Sequence, residues 1–141
     1  MLLIDKKTKQ IEHCCAENIT SDVLTSTEPL ILKGLVADWP LTKLGRESAH
    51  KASEYLLQFY NNKPVNVALG EPSTKGRIFY SSDFTGFNYQ SLRVSMKILL
   101  DKLEQHSSDT SPPTIYMAST MVDHWLPEFR NENDLLLAPI N

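Results

Sequence analysis

Cysteine is scarce in this 141-residue chain: two residues, Cys14 and Cys15, sit side by side. Neighbouring cysteines rarely meet disulfide geometry, so no cross-linked framework is expected, and reduced thiols suit a cytoplasmic setting. Glycine is also sparse, at five residues. The segment nearest to a phosphate loop, Gly70 to Gly76, contains Pro72 and lacks the required spacing. No run approaches the ~18 apolar residues of a membrane span. The opening Met1-Leu2-Leu3-Ile4 meets Asp5, Lys6 and Lys7 at once, the reverse of signal-peptide order. Clustered positive charge is missing too. The 14 basic residues are scattered among 17 acidic ones, for a net charge of −3, and Lys6-Lys7-Thr8-Lys9 reads as a solvated turn. These absences exclude a membrane helix and a nucleic-acid footprint, and point to a soluble cytoplasmic protein.

The chain has an ordinary balance of 41% hydrophobic and 22% charged residues, enough for one modest core. Residues 1–28 read as a leading arm and a weak helix, with Thr20-Ser21-Asp22 as cap chemistry ahead of Val23 and Leu24. Leu30-Ile31-Leu32, between Pro29 and Gly34, predicts a short buried strand. Ala37-Asp38-Trp39-Pro40 predicts a turn. From Ser48 the period becomes helical, and Ala52, Tyr55, Leu56, Phe59 and Tyr60 share an apolar face. Val65, Val67 and Leu69 alternate with Asn66 and Ala68, which predicts a strand with one wetter face. Arg77 to Tyr80 is a further strand candidate, and Ser81 to Tyr89 is irregular. A helix is expected over Arg93–Glu104, with Ser91 as an upstream cap and Met96, Leu99, Leu100 and Leu103 buried. Thr114 to Met117 predicts a strand, Asp123 to Asn133 a short helix and turn, and Leu135-Leu136-Leu137 a final apolar segment. The sequence closes on Pro139-Ile140-Asn141 without a polar linker, from which a continuation of the domain is expected.

Four histidines are available as metal ligands: His13, His50, His106 and His124. A non-haem iron centre needs two histidines and a carboxylate on one face of the metal. The residues two after each histidine are Cys15, Ala52, Ser108 and Leu126, so no His-X-Asp/Glu pair exists. His13-Cys14-Cys15 has no second ligand cluster to complete a zinc site, and its cysteines read as small apolar residues near a strand. His124 beside Asp123 and Trp125 reads as a histidine packed at a helix start rather than as a general base. No nucleophile elbow is present. The aromatics Phe79, Tyr80, Phe84, Phe87 and Tyr89 either line a pocket or form a knot of core rings around an irregular loop.

Three blocks of sequence, in order, resemble the cupin-like, JmjC-related family. The first runs from Glu28-Pro29-Leu30-Ile31-Leu32-Lys33-Gly34 to Trp39-Pro40. The second joins Gly76-Arg77-Ile78-Phe79-Tyr80 to Asp83-Phe84-Thr85-Gly86-Phe87-Asn88-Tyr89. The third joins Ile115-Tyr116-Met117-Ala118-Ser119-Thr120 to Leu126-Pro127-Glu128-Phe129-Arg130-Asn131-Glu132-Asn133-Asp134-Leu135. Together they cover most of residues 29–141. The resemblance implies an α+β fold: the N-terminal helices and strands of a double-stranded β-helix, with the barrel incomplete in this chain. It implies an Fe(II)- and 2-oxoglutarate-dependent oxygenase acting on a protein or small molecule. The iron motif is expected after these residues, so neither bound iron nor bound 2-oxoglutarate, and no turnover, is expected of this chain alone.

Among residues present, Tyr116 matches a family tyrosine whose hydroxyl reaches the cosubstrate, and Tyr80, Thr85 and Asn88 are candidates for the substrate-facing wall. No catalytic or metal-ligating residue is assigned. The competing reading is a non-catalytic module for partner binding or dimerisation. A small enzyme built on His124 or the cysteines ranks below both. An incomplete barrel would expose apolar surface, including Leu135, Leu136, Leu137 and strand edges, and so favour self-association.

Overall fold

A computed structural model describes residues 7–135. Residues 136–137, of the apolar run expected at the end, and Met1 to Ile4 lie outside them. The chain begins with β1 (Lys9–Ile11), a single 3₁₀ turn, and α1 (Ser21–Leu24), then β2 (Leu30–Leu32). β2 pairs in parallel with β1, in a two-stranded sheet of its own. β2 was expected to be buried, yet Ile31 is 43% exposed, because only β1 lies beside it. Gly34 closes this unit with φ +91°. A Cβ there would sit 3.3 Å from the Cys14 carbonyl oxygen, so glycine suits both the torsion and the close approach. Cys14 is buried, and its thiol donates to the Ile11 carbonyl at 3.3 Å. It serves as a small packing residue, as its neighbourhood in sequence suggested.

Two consecutive helices follow, α2 (Pro40–Glu47) and α3 (Ala49–Gln58). The turn at Ala37–Pro40 was expected, but the helix that Pro40 opens was not. Proline at the first helical position loses nothing, since that N–H has no intrahelical partner. Ser48 ends α2 and caps α3, its hydroxyl accepting the Lys51 N–H at 3.1 Å. β3 (Val65–Gly70) then runs as predicted, at the centre of a three-stranded antiparallel sheet ordered β4-β3-β5.

β4 (Tyr89–Val94) is the clearest departure from expectation. Arg93 and Val94 belong to this strand and not to the following helix, since Val65 to Gly70 pairs with Val94 to Tyr89 residue for residue. The helix α4 begins after it, at Met96–Gln105, and is capped by Ser95, not Ser91; the Ser95 hydroxyl accepts the Ile98 N–H at 3.2 Å. The strand expected at Arg77–Tyr80 reduces to one bridge, Tyr80 with Phe87, at the neck of a hairpin. β5 (Thr114–Tyr116) and α5 (Val122–Trp125) complete the set, with a 3₁₀ turn at Phe129–Asn131.

The core lies between one face of the sheet and the helices. Val65, Val67, Met96, Leu99, Tyr55, Leu126 and Phe129 are buried there, with Val94, Leu100, Ile115 and Met117 packed against them. Leu103, expected in the same buried face of α4, is instead 45% exposed, because it lies in the last turns of the helix, beyond the core cluster. Tyr55, Phe59 and Phe129 meet in edge and tilted contacts, with centroids 5.1 to 6.2 Å apart. Such pairs stabilise by roughly 0.5–1.5 kcal/mol each beyond simple burial. The architecture is α+β, and no closed barrel is formed among the described residues.

Candidate functional site

Strand alternation divides the three-stranded sheet into two unlike faces. Val65 and Val67 on β3 point into the core, at 1% and 5% exposure. The intervening residues, Asn66 and Ala68, point to the other side, where no helix covers them. Register then assembles a polar surface. Asn66 stands opposite Arg93, and Ala68 lies between Ser91 of β4 and Tyr116 of β5. Tyr89 stands at the end of the same face, opposite Gly70. These residues line a shallow depression of about 370 Å³, edged by Ile78 and Ala118. Tyr116 is 50% exposed, and among the described residues its hydroxyl has no hydrogen-bond partner. A phenol held on a strand and open to solvent can donate to an anion or carbonyl bound over the sheet.

The other three predicted site residues lie on the hairpin that precedes β4. Asn88 is committed to the hairpin itself: its Oδ1 accepts the Phe79 N–H at 2.8 Å, and its Nδ2 donates to the Arg77 carbonyl at 2.8 Å. Thr85 donates through its hydroxyl to Asp83 at 2.9 Å. Tyr80 is half-exposed and stacks on Phe87 with centroids 5.3 Å apart. Tyr80 and Asn88 share a concavity with Arg77 and Phe79, separate from the depression at Tyr116 but meeting it at Ile78. Thr85 lines neither.

The hairpin aromatics form neither a core knot nor an enclosed pocket. Phe79, Tyr80, Phe84 and Phe87 are 50–73% exposed; Tyr80 meets Phe79 edge-on, Phe84 at a tilt and Phe87 in a stack, and Tyr89 continues the row by stacking on Phe87. The hairpin is held by Asp83, whose carboxylate accepts from the Ser81 hydroxyl at 2.6 Å and from the Thr85 N–H and hydroxyl. These bonds, that from Ser81 foremost, stabilise the ionised form and bring its pKa down to about 2.

The residues present do not fit an iron centre. Among the described residues no three histidine, cysteine or acidic side chains converge as metal ligands, and no histidine in the sequence has an acidic residue two positions on. His50 is engaged between helices, its Nδ1 3.1 Å from Glu104 and its Nε2 3.4 Å from Glu54. The Glu104 hydrogen bond raises its pKa, with both carboxylate charges adding to the effect. His106 pairs with Asp109, and His124 packs edge-on against Trp125 within α5.

Asn66, Ser91 and Arg93 were not singled out from sequence. The wetter face of β3 was visible in its alternation, but β4 was hidden by the assignment of Arg93 to a helix. No curated protein and no solved structure matches the chain. Residues 16–140 match the family of cupin-like domains, so nearly all of the described fold, the open sheet face included, falls within the match, and the chain belongs to the cupin-like domain family.

Proposed function

We propose that these residues form the N-terminal part of a JmjC-type, Fe(II)- and 2-oxoglutarate-dependent oxygenase, with the open face of β4-β3-β5 as one wall of its pocket. The observation that carries this reading is Tyr116: a half-exposed phenol, its hydroxyl without a partner among the described residues, on a polar sheet face. In this reading the Tyr116 hydroxyl donates to a carboxylate oxygen of 2-oxoglutarate, and the hairpin carrying Tyr80, Thr85 and Asn88 borders the substrate. Iron would supply oxygen activation, but its ligands are not among these residues, so the chain alone is inactive. The wider double-stranded β-helix, with the sheet as part of its barrel, belongs to the same proposal, as does a cytoplasmic location.

Amide chemical shifts test the wall directly. Without iron no tight complex is expected. At high concentration, 2-oxoglutarate should move the resonances of Ala68 and Tyr116 as a weak, fast-exchanging contact, and Tyr116→Phe should weaken that contact by about fivefold, the loss of one hydrogen bond. Fe(II) plus 2-oxoglutarate should give no succinate release from the isolated chain. Unmoved resonances at β3 and β5, or iron-dependent turnover, would each sink the reading as stated.

A second reading is favoured by a different observation. The exposed row of Phe79, Tyr80, Phe84 and Phe87 is the kind of surface that marks an interaction site. A non-catalytic module that dimerises or binds a partner through these rings requires no metal.

A further inference from the structure

The open sheet face presents one cationic side chain, Arg93, and no carboxylate lines its depression. Arg93 stands opposite Asn66, with Ser91 two residues back on the same face of β4. Among the described residues, none of these three side chains has a hydrogen bond or ion pair. Four other cations of the chain are engaged with carboxylates, Lys33 with Glu12, Lys43 with Asp38, Lys97 with Asp101 and Arg130 with Asp134, whereas Arg93 faces an open concavity that no carboxylate lines. A guanidinium is a planar fork that matches a carboxylate bidentately. Flanked by an amide and a hydroxyl, it forms a cradle of donors for an anion.

Position separates this cradle from Tyr116. Arg93 is on β4 and Tyr116 on β5, with β3 between them. Adjacent strands lie ~4.8 Å apart, so the two backbones stand roughly 10 Å apart. Arg93 is on the flank bordered by the hairpin, through Ile78 and Tyr89. β4 is also an edge strand of the described sheet, and an edge strand accepts an extended peptide alongside it.

We propose that Arg93, assisted by Asn66 and Ser91, binds the side-chain carboxylate of an Asp or Glu in a peptide laid along β4. Its role as a specificity-determining residue rests on the oxygenase reading of this face; its binding of an acidic side chain does not. Charge complementarity selects the acidic peptide: the face is uncharged apart from Arg93, so a neutral residue gains nothing there and a basic one is repelled.

The test is an amide chemical-shift titration of the whole chain with N-acetyl-glutamate N-methylamide, its neutral glutamine counterpart, and 2-oxoglutarate. The acidic probe should shift Asn66 and Ser91 to Val94 and bind at least about fivefold tighter than the neutral probe, the advantage of one charge-assisted pair. Arg93→Gln should abolish that advantage, Arg93→Lys should keep part of it, and Tyr116→Phe should leave it unchanged. Because Arg93 is exposed, the variants' spectra should superpose on the parent away from β4. Equal binding of the two probes, or an advantage that survives Arg93→Gln, would overturn the proposal. So would displacement of the acidic probe by 2-oxoglutarate, which would make Arg93 a cosubstrate anchor instead. If the acidic probe binds as described while 2-oxoglutarate binds nowhere, the acid site stands and the cosubstrate reading of Tyr116 falls.

Discussion

Asp83 shows how a single side chain can organise a segment that lacks regular structure. Three donors, from the Ser81 hydroxyl and the Thr85 N–H and hydroxyl, converge on its carboxylate and close the hairpin tip that displays the aromatic row. Its pKa is depressed from 3.8 to about 2 in the folded state. A carboxyl whose folded pKa is lowered contributes stability that is fully present above the unfolded value and is lost as pH falls through the folded one. The hairpin should therefore hold through mild acid and loosen between about pH 4 and pH 2. Carbon-13 titration of the Asp83 carboxyl should show the low midpoint, and Ser81→Ala should raise it toward 3.8. An unmoved midpoint in that variant would show that the Ser81 bond is not the main cause. The same local bonding bears on the site: Thr85 and Asn88, expected from the resemblance to face a substrate, spend polar atoms on the hairpin, and Tyr80 packs its ring into the aromatic row while remaining half-exposed.

Between elements, the junction that matters most is polar. Asn133 is 3% exposed, yet it follows the last 3₁₀ turn and reaches into the helical layer. Its Oδ1 accepts the Leu41 N–H at the start of α2, and its Nδ2 donates to the Tyr55 hydroxyl on α3 and to the Phe129 carbonyl. The Tyr55 hydroxyl in turn donates to Glu132 at 2.7 Å. Burial, and then that bond, push the Tyr55 pKa up. One amide thus satisfies an N–H that α2 cannot pair internally and ties α2 and α3 to the chain after α5. Asn133→Ala should destabilise the fold by about 2–3 kcal/mol, because it leaves buried groups unpaired. Urea denaturation would measure this, and a change below about 1 kcal/mol would show that water replaces the amide without cost. The surface ion pairs, by contrast, are half-exposed and contribute little individually.

At the scale of the whole molecule, the polar face of the sheet and the aromatic row of the hairpin are both without cover among the described residues. The polar face can remain in water, while the aromatic row exposes four large rings together. Self-association of the isolated chain is therefore expected. Sedimentation across a wide concentration range should show it, and the paired change Phe84→Ser with Phe87→Ser should diminish it. A parent chain that stays monomeric throughout would remove the reason for reading these rings as a contact surface.

Much of the fold can be read from residue order, because its determinants are local. The period of Ala52 to Tyr60 identifies α3, the alternation of Val65 to Leu69 identifies β3 and its wetter face, and the spacing of Met96, Leu99 and Leu100 identifies the helix after Arg93. The histidines could be dismissed as ligands of a His-X-Asp/Glu motif for the same reason, since that motif is a matter of neighbouring residues. What sequence alone could not decide depends on partners far apart in the chain. Tyr89–Val94 becomes a strand because β3 supplies its hydrogen bonds, overriding the helical pattern that begins inside it. Leu30–Leu32 stays half-exposed because only β1 lies beside it. The surface that joins Asn66, Ser91, Arg93 and Tyr116 arises only when β4 and β5 take their registers on either side of β3, a pairing that no local pattern encodes.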